Sequence, residues 1–179
     1  MIRKVLKYVL VACLVFVLPF TMSGQNLKSV IKTQAMDMAG ALLKKDFQTF
    51  ARYMHPKIIE LAGGREQLLS KMDTASKMAD QYGAKISRVL IGHPNDIITY
   101  KKELQTTLSQ TTDIKTMLGM ISLETTLIAI SEDDGAHWYF IDTSAYNLDE
   151  IKKSMPDISP DIKIPPFKQP KFTPIDPEQ

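Results

Sequence analysis

The chain has 179 residues, of which 22 are basic and 20 acidic, and Cys13 is its single cysteine. This length predicts one domain, and since three of the bases but no acid lie in residues 1–24, the remaining residues carry 19 basic and 20 acidic side chains. Such a near-neutral domain lacks the basic surface that nucleic-acid binding needs, and without Cys13 it has no thiol for a disulfide, a nucleophile or a metal site.

Residues 1–24 are typical of a secretory signal peptide. Basic residues precede an apolar run over residues 8–20, and small residues follow, so we expect cleavage after Gly24. The run is shorter than the ~20 residues of a membrane-spanning helix, which argues against the alternative of an uncleaved anchor. Residues 10–13 resemble the lipobox of bacterial lipoproteins, but the apolar run continues past Cys13, which argues against lipidation. We expect an exported protein, periplasmic or extracellular, that meets the membrane only through its cleaved signal.

Helical patterns dominate the first part of a domain that we place at residues 25–155. Apolar residues at three- and four-residue steps predict a helix over residues 27–45. Asp46 has the position of an N-cap, and the short second helix that follows ends before Pro56, because the residue before a proline disfavours helical dihedrals. We interpret residues 57–61 as a short strand.

A third helix is predicted after Gly63 and Gly64. Its expected buried face consists of Leu68, Leu69, Met72, Ala75, Ala79 and Tyr82.

The apolar period then changes towards two, which indicates strands. Strands are predicted over residues 85–91, 97–108, 117–131 and 136–142. We expect a loop over residues 109–115, a turn over residues 132–135 and a short helix over residues 147–153.

Residues 156–179 form a proline-rich C-terminal extension that holds seven of the ten prolines. Proline at this density excludes helix and central strand and favours extended chain. We expect Ile162, Ile164 and Phe167 to pack on the domain and residues 171–179 to form a loose tail. Helices followed by long antiparallel strands predict an α+β fold, in which N-terminal helices pack on a strongly curved antiparallel sheet.

Residues 39–56, AGALLKKDFQTFARYMHP, resemble the opening of nuclear-transport-factor-2-like domains. In that superfamily two helices meet at a lysine-aspartate corner, and the second ends near a histidine-proline pair. The resemblance implies a cone-shaped fold with an apolar pocket between sheet and helices. The superfamily, of ketosteroid-isomerase or SnoaL type, contains ketosteroid isomerases, dehydratases, carriers, assembly proteins and secreted members without known activity, so the fold does not assign one function.

Three functions remain open at this point. The first is an exported, non-catalytic domain that binds a small apolar ligand or a partner protein in or on a cone-shaped pocket. The second is an isomerase or lyase of the ketosteroid-isomerase type, which needs a carboxylate base beside an oxyanion donor pair. The third is a structural module that forms a homodimer through its sheet face.

The candidate pocket residues follow from this resemblance. Tyr53 and His55 lie at the corner after the second helix, Tyr100 and Tyr139 are candidate donors, and Glu124 is a candidate acid together with Glu103. Strand register decides whether the last four point inward, because a one-residue slip reverses every side chain. We assign no catalytic residue, no cofactor and no metal, since His55, His93 and His137 lack the spacing of a metal motif.

Residues 131–138, SEDDGAHW, resemble an Asp-box, a hairpin turn that recurs in sialidase-like propellers. In this pattern the aspartate accepts hydrogen bonds from turn amides, the glycine takes a positive φ and the tryptophan packs beneath. A single copy predicts a local folding device.

Overall fold

The computed structural model describes residues 24–144 and 148–175. Residues 1–23 of the expected signal peptide, with Cys13, lie outside the described residues, as do residues 145–147, which include the first residue of the helix expected over residues 147–153, and residues 176–179. The helices are α1 (Gly24–Leu43), α2 (Phe47–Tyr53), α3 (Pro56–Leu61), α4 (Arg65–Gln81) and α5 (Leu148–Ser154). The strands are β1 (Lys85–Ile91), β2 (Ile98–Tyr100), β3 (Glu103–Lys115), β4 (Gly119–Ser131), β5 (Tyr139–Asp142) and β6 (Lys171–Pro174).

The predicted α+β fold is confirmed: helices at the N-terminal end precede a strongly curled antiparallel sheet. The sheet order is β1-β3-β4-β5, with β2 paired to β3 and β6 paired to β4. The β3–β4 hairpin is the longest pairing and joins Leu104 opposite Ser131 to Lys115 opposite Met120. No helix in the described ranges is long and apolar enough to cross a membrane.

The sheet is covered on both faces at the end of this hairpin next to β5. On the helix face, Leu127 and Ala129 pack with α1; on the tail face, Ile128 and Ile130 pack with the chain after β5. The helix-face core is completed by Ile31, Ala35, Met38, Leu108, Trp138 and Phe140. The tail-face core is completed by Ile58, Ile141, Ile151, Met155, Ile158 and Ile162.

Two glutamines fasten these covering segments to the sheet. On α1, Gln34 donates from Nε2 to the carbonyl of Ala136 (2.9 Å) and accepts from the amide of Trp138 (2.8 Å). On β3, the fully buried Gln105 donates to the carbonyl of Asp157 (2.7 Å) and accepts from the amide of Ser159 (2.8 Å). Gln105 satisfies buried backbone groups that would otherwise lack partners, and Gln34 does the same for the amide of the buried Trp138.

Asp46 caps α2 as predicted, since its Oδ1 accepts from the amide of Thr49 at 3.0 Å. The predicted strand at residues 57–61 is wrong, because these residues belong to α3. Pro56 at the first turn suits helical dihedrals, and His55 supplies the cap by accepting from the amide of Lys57. Apolar residues in so short a segment do not distinguish a strand from a helical turn.

The prediction of one strand over residues 97–108 and a loop over residues 109–115 is also wrong. The chain reverses at Lys101 and Lys102, both with positive φ, so that β2 and β3 form a tight hairpin. Residues 109–115 then continue β3, because the sheet satisfies their polar side chains. Asp113, for example, accepts from Ser122 of β4 at 2.6 Å and from Arg88 of β1 at 2.7 Å.

The C-terminal extension packs against the sheet. Ile162 is buried and Ile164 is packed on the tail-face core, as expected. The expectation for Phe167 is wrong, because its side chain is exposed on the outer wall of a groove beneath the proline-rich segment. The expected loose tail is wrong for Lys171–Pro174, which forms β6 along the edge of β4 that β5 leaves open. An edge strand tolerates proline because one side of its backbone makes no ladder hydrogen bonds.

The hairpin turn at residues 131–138 has the hydrogen bonds of an Asp-box. The buried Ser131 hydroxyl donates to Asp133 (2.8 Å) and accepts from the amide of Gly135 (2.9 Å), whose φ is +91°. Asp133 also accepts from the amide of His137 (2.9 Å). The fully buried Trp138 donates from Nε1 to the carbonyl of Gly135 (3.0 Å), which seats the turn on the core.

We predict that Asp133→Ala lowers the free energy of unfolding by about 1–2 kcal/mol, because it removes an acceptor used by a turn amide and by the Ser131 hydroxyl. Urea denaturation followed by Trp138 fluorescence measures this change. Glu132→Ala is the matched control, since Glu132 is an exposed neighbour in the same turn. An equal loss in both variants would mean that the turn is sensitive to any substitution.

Candidate functional site

A cavity of about 370 Å³ opens between the C-terminal end of α1, helix α4 and strand β1. Its walls are mostly apolar and include Met72, Ala75 and Ala79 of α4 opposite Leu42 of α1 and Phe47 of α2. The floor is formed by Ala84, Ile86 and Ile114 at the ends of β1 and β3.

Helix α4 lines this cavity with part of the apolar face that the sequence predicts to be buried. Most of that face is not buried in the structure. Leu68 alone of the six expected residues is buried, while Ala75 and Tyr82 are exposed. Alanine side chains at positions 75 and 79 are too small to reach α1, so the apolar stripe borders a space instead of closing it.

Polar contacts join α4 to α2 and to the corner between α1 and α2. The Lys45 ammonium contacts the Asp80 carboxylate at 2.6 Å, and Arg65 donates to the carbonyl of Gln48 at 2.9 Å. Lys45, Asp80 and Lys85 stand on the rim of the cavity. The Lys45–Asp80 pair is about half exposed and so contributes little stability, but it closes one side of the opening.

Three of the five predicted pocket residues meet in a different place, an aromatic cluster between α2 and β5. The ring of His137 stacks on Tyr53 at 5.8 Å and meets the edge of Tyr139 at 4.6 Å. His55 lies 6.0 Å beyond Tyr139, edge to face. Burial raises the pKa of Tyr53, so its hydroxyl stays protonated at neutral pH. The cluster packs α2 against the sheet and encloses no cavity among those found in the described residues.

The remaining predicted pocket residues are separated from this cluster. Tyr100 ends β2 with the Lys101 ammonium 5.6 Å from its ring centre. Glu124 lies on the tail face of β4 and accepts from Lys168 at 2.5 Å. Burial is the main cause that raises the pKa of Glu103, which accepts from Gln105 at 2.7 Å. None of Tyr53, His55, Tyr100, Glu124 and Tyr139 lines the apolar cavity.

Glu124 instead borders a second, more polar groove of about 550 Å³ beneath the proline-rich segment. Hydroxyls of Ser109, Thr111 and Thr126 line its floor, and Phe167 with Lys168 forms its outer wall. Within residues 24–144 and 148–175, no group of three or more histidine, cysteine, aspartate or glutamate side chains is placed to hold a metal ion.

Comparison with known proteins gives no relative: no family model, no curated protein and no solved structure matches this chain.

The position of His55 generates a pH prediction. Burial lowers the pKa of His55 from 6.5 to about 4, and its Nδ1 must stay unprotonated to accept from the amide of Lys57. The folded state thus binds fewer protons than the unfolded state between these pH values. The resulting contribution to the free energy of unfolding is complete above pH 6.5 and is lost as the pH falls to about 4.

Denaturation between pH 7 and about 4 measures this loss, with His55→Asn as the comparison. Asparagine keeps a side-chain acceptor at the N-cap but does not titrate, so we expect a shallower decline of stability with falling pH. Identical pH profiles for the two proteins would contradict the assignment.

Proposed function

We propose that this protein is an exported, non-catalytic domain of the nuclear-transport-factor-2-like kind that binds a small apolar ligand in the cavity between α1, α4 and β1. The observation that carries the proposal is an open apolar cavity between helices and the curled sheet. The resemblance of residues 39–56 implies a pocket of this kind, although none of the pocket residues expected from it lines this cavity.

Size and lining support a ligand. Pockets for small molecules commonly measure about 300–1,000 Å³ and have apolar walls with a few polar groups at the edge. The cavity has about 370 Å³, apolar walls from three helices and the sheet, and charged groups at its rim. A ligand with an apolar body would gain roughly 25 cal/mol per Å² of surface removed from water.

The placement of acids favours binding over isomerase or lyase chemistry. A base for carbon-acid chemistry must lie within hydrogen-bond reach of the substrate. Asp80 is the carboxylate among the lining residues, and it is half exposed and bound to Lys45. Glu103 and Glu124, the acids considered from the sequence, line other parts of the fold.

The tail face gives less support to a module that dimerises through its sheet. Residues 151–164 of the same chain cover its apolar end. The open part carries hydroxyls and charged groups, such as Thr111 and Glu124, in place of a large apolar patch.

We predict that Ala79→Phe fills the cavity and weakens binding of the neutral fluorophore N-phenyl-1-naphthylamine about tenfold or more. Fluorescence titration measures the affinity. Thr74→Phe is the matched control, because Thr74 is exposed on the same helix and does not line the cavity. Equal affinities of the Ala79→Phe and Thr74→Phe variants would place the fluorophore elsewhere.

Native mass spectrometry of protein isolated from its producing cell should also show a retained compound of low mass.

Export is tested by fractionating cells that produce the full chain. We expect protein in the periplasm or medium with a mass that matches cleavage after Gly24. Full-length protein retained in the cytoplasm would contradict the proposed export without affecting the ligand titration.

A further inference from the structure

The end of the sheet formed by the β3–β4 turn carries a group of exposed apolar side chains, which we name the tip. Its members are Tyr82, Met117, Leu118, Phe172 and Ile175. The exposed fraction is 78 % for Leu118, 75 % for Met117 and 72 % for Tyr82, far above what core residues of this type show.

These side chains belong to one continuous surface although they come from three parts of the chain. Met117 lies against Gly83, since a Cβ at Gly83 would stand 2.9 Å from its Cγ. The amide of Ile175 donates to the carbonyl of Leu118 at 3.1 Å. The Phe172 ring covers Gly119, the residue that follows Leu118.

The surroundings of the tip are positively charged. Lys85, Lys115 and Lys171 lie at this end of the sheet, whereas Arg88 and Lys168 of the same strands and segment are paired with Asp113 and Glu124. Lys85 and Lys115 are direct cross-strand neighbours in the β1–β3 register. Like charges at such a position repel each other, so an anion bound between them would relieve an unfavourable contact.

We infer that the tip docks on the surface of a membrane that contains anionic phospholipid. Apolar side chains that project from a turn enter the boundary between headgroups and acyl chains, while flanking lysines interact with anionic headgroups. A second copy of this chain is a poor partner, because two such tips would bring like charges together. This surface is additional to the signal peptide, through which alone the sequence predicts membrane contact.

The inference is independent of the proposed ligand, although the two sites adjoin. Lys85 lies on the rim of the apolar cavity and beside the tip. Docking by the tip would bring the opening of the cavity close to the lipid surface.

The test uses tryptophan as a local reporter in the full chain. The only native tryptophan, Trp138, is fully buried, so Leu118→Trp adds one exposed indole at the tip. With vesicles of phosphatidylethanolamine and phosphatidylglycerol, we expect a blue shift of its emission and quenching by brominated phospholipid. Leu61→Trp is the matched control on α3, outside the tip, where the exposed leucine should give neither change. Residues 1–24 are common to both variants, so membrane binding through them alone would not distinguish the two indoles.

Charge is tested in the Leu118→Trp background. Lys85→Gln and Lys115→Gln should each lower partitioning into these vesicles about fivefold, whereas Lys102→Gln, at the distant β2–β3 turn, should change it little. Raising the salt to about 0.5 M should likewise weaken partitioning.

If the emission of the Leu118→Trp variant shifts to the blue with neither the anionic nor the phosphatidylcholine vesicles, the inference is overturned. Equal partitioning into phosphatidylcholine vesicles would overturn its anionic-lipid requirement, and a shift that depends on protein concentration without vesicles would assign the tip to self-association. Titration of N-phenyl-1-naphthylamine without vesicles reports the cavity separately, so failure of one proposal leaves the other distinguishable.

Discussion

Twelve residue pairs join β3 to β4, and at one end of this hairpin both faces of the sheet are apolar. Residues 126–131 are therefore buried one after another, which requires cover on two sides. Helix α1 covers one face, and the chain after β5 covers the other. Gln34 and Gln105 fasten the two layers by pairing with backbone groups of the segments that meet there. Because the sheet is buried on both faces here, the neighbouring elements α2, α3 and β5 pack at its edge, between the helix-face core and the tail-face core.

The opposite end of the same hairpin has no such cover, and both proposed binding surfaces lie there. Helix α4 approaches it with alanines, which leaves an apolar cavity beside β1. The β3–β4 turn projects beyond the covering segments and exposes Met117 and Leu118. The buried end of the hairpin supplies the core, and the open end retains apolar surface that the proposed ligand or lipid surface would bury.

Sequence reasoning brought part of the proposed pocket together and missed the cavity. Tyr53, His55 and Tyr139 do meet, with His137, because the corner after α2 packs on β5. Tyr100 and Glu124 lie apart from them, because the true register puts Glu124 opposite Thr111 on the tail face. One feature of the sequence could have indicated the cavity. The apolar stripe of α4 contains Ala75 and Ala79, whose side chains have too little volume to fill a helix–sheet interface. Periodicity marks which side of a helix is apolar, but it does not measure the gap to the next layer.

Local interactions were readable from the sequence by itself. The period of α1, the cap at Asp46, strand β1 and the turn at residues 131–138 each depend on residues close in the chain, and these were predicted correctly. Tertiary structure decided the elements whose partners are distant. Residues 109–115 are polar enough for a loop, yet they form a strand because Asp113 finds Arg88 and Ser122 on neighbouring strands. Lys171–Pro174 pairs because β5 ends before the edge of β4 does. Long-range pairing satisfies backbone and side-chain groups that a local pattern leaves undetermined, and for that reason the sheet register, the cavity and the tip emerged only in the folded chain.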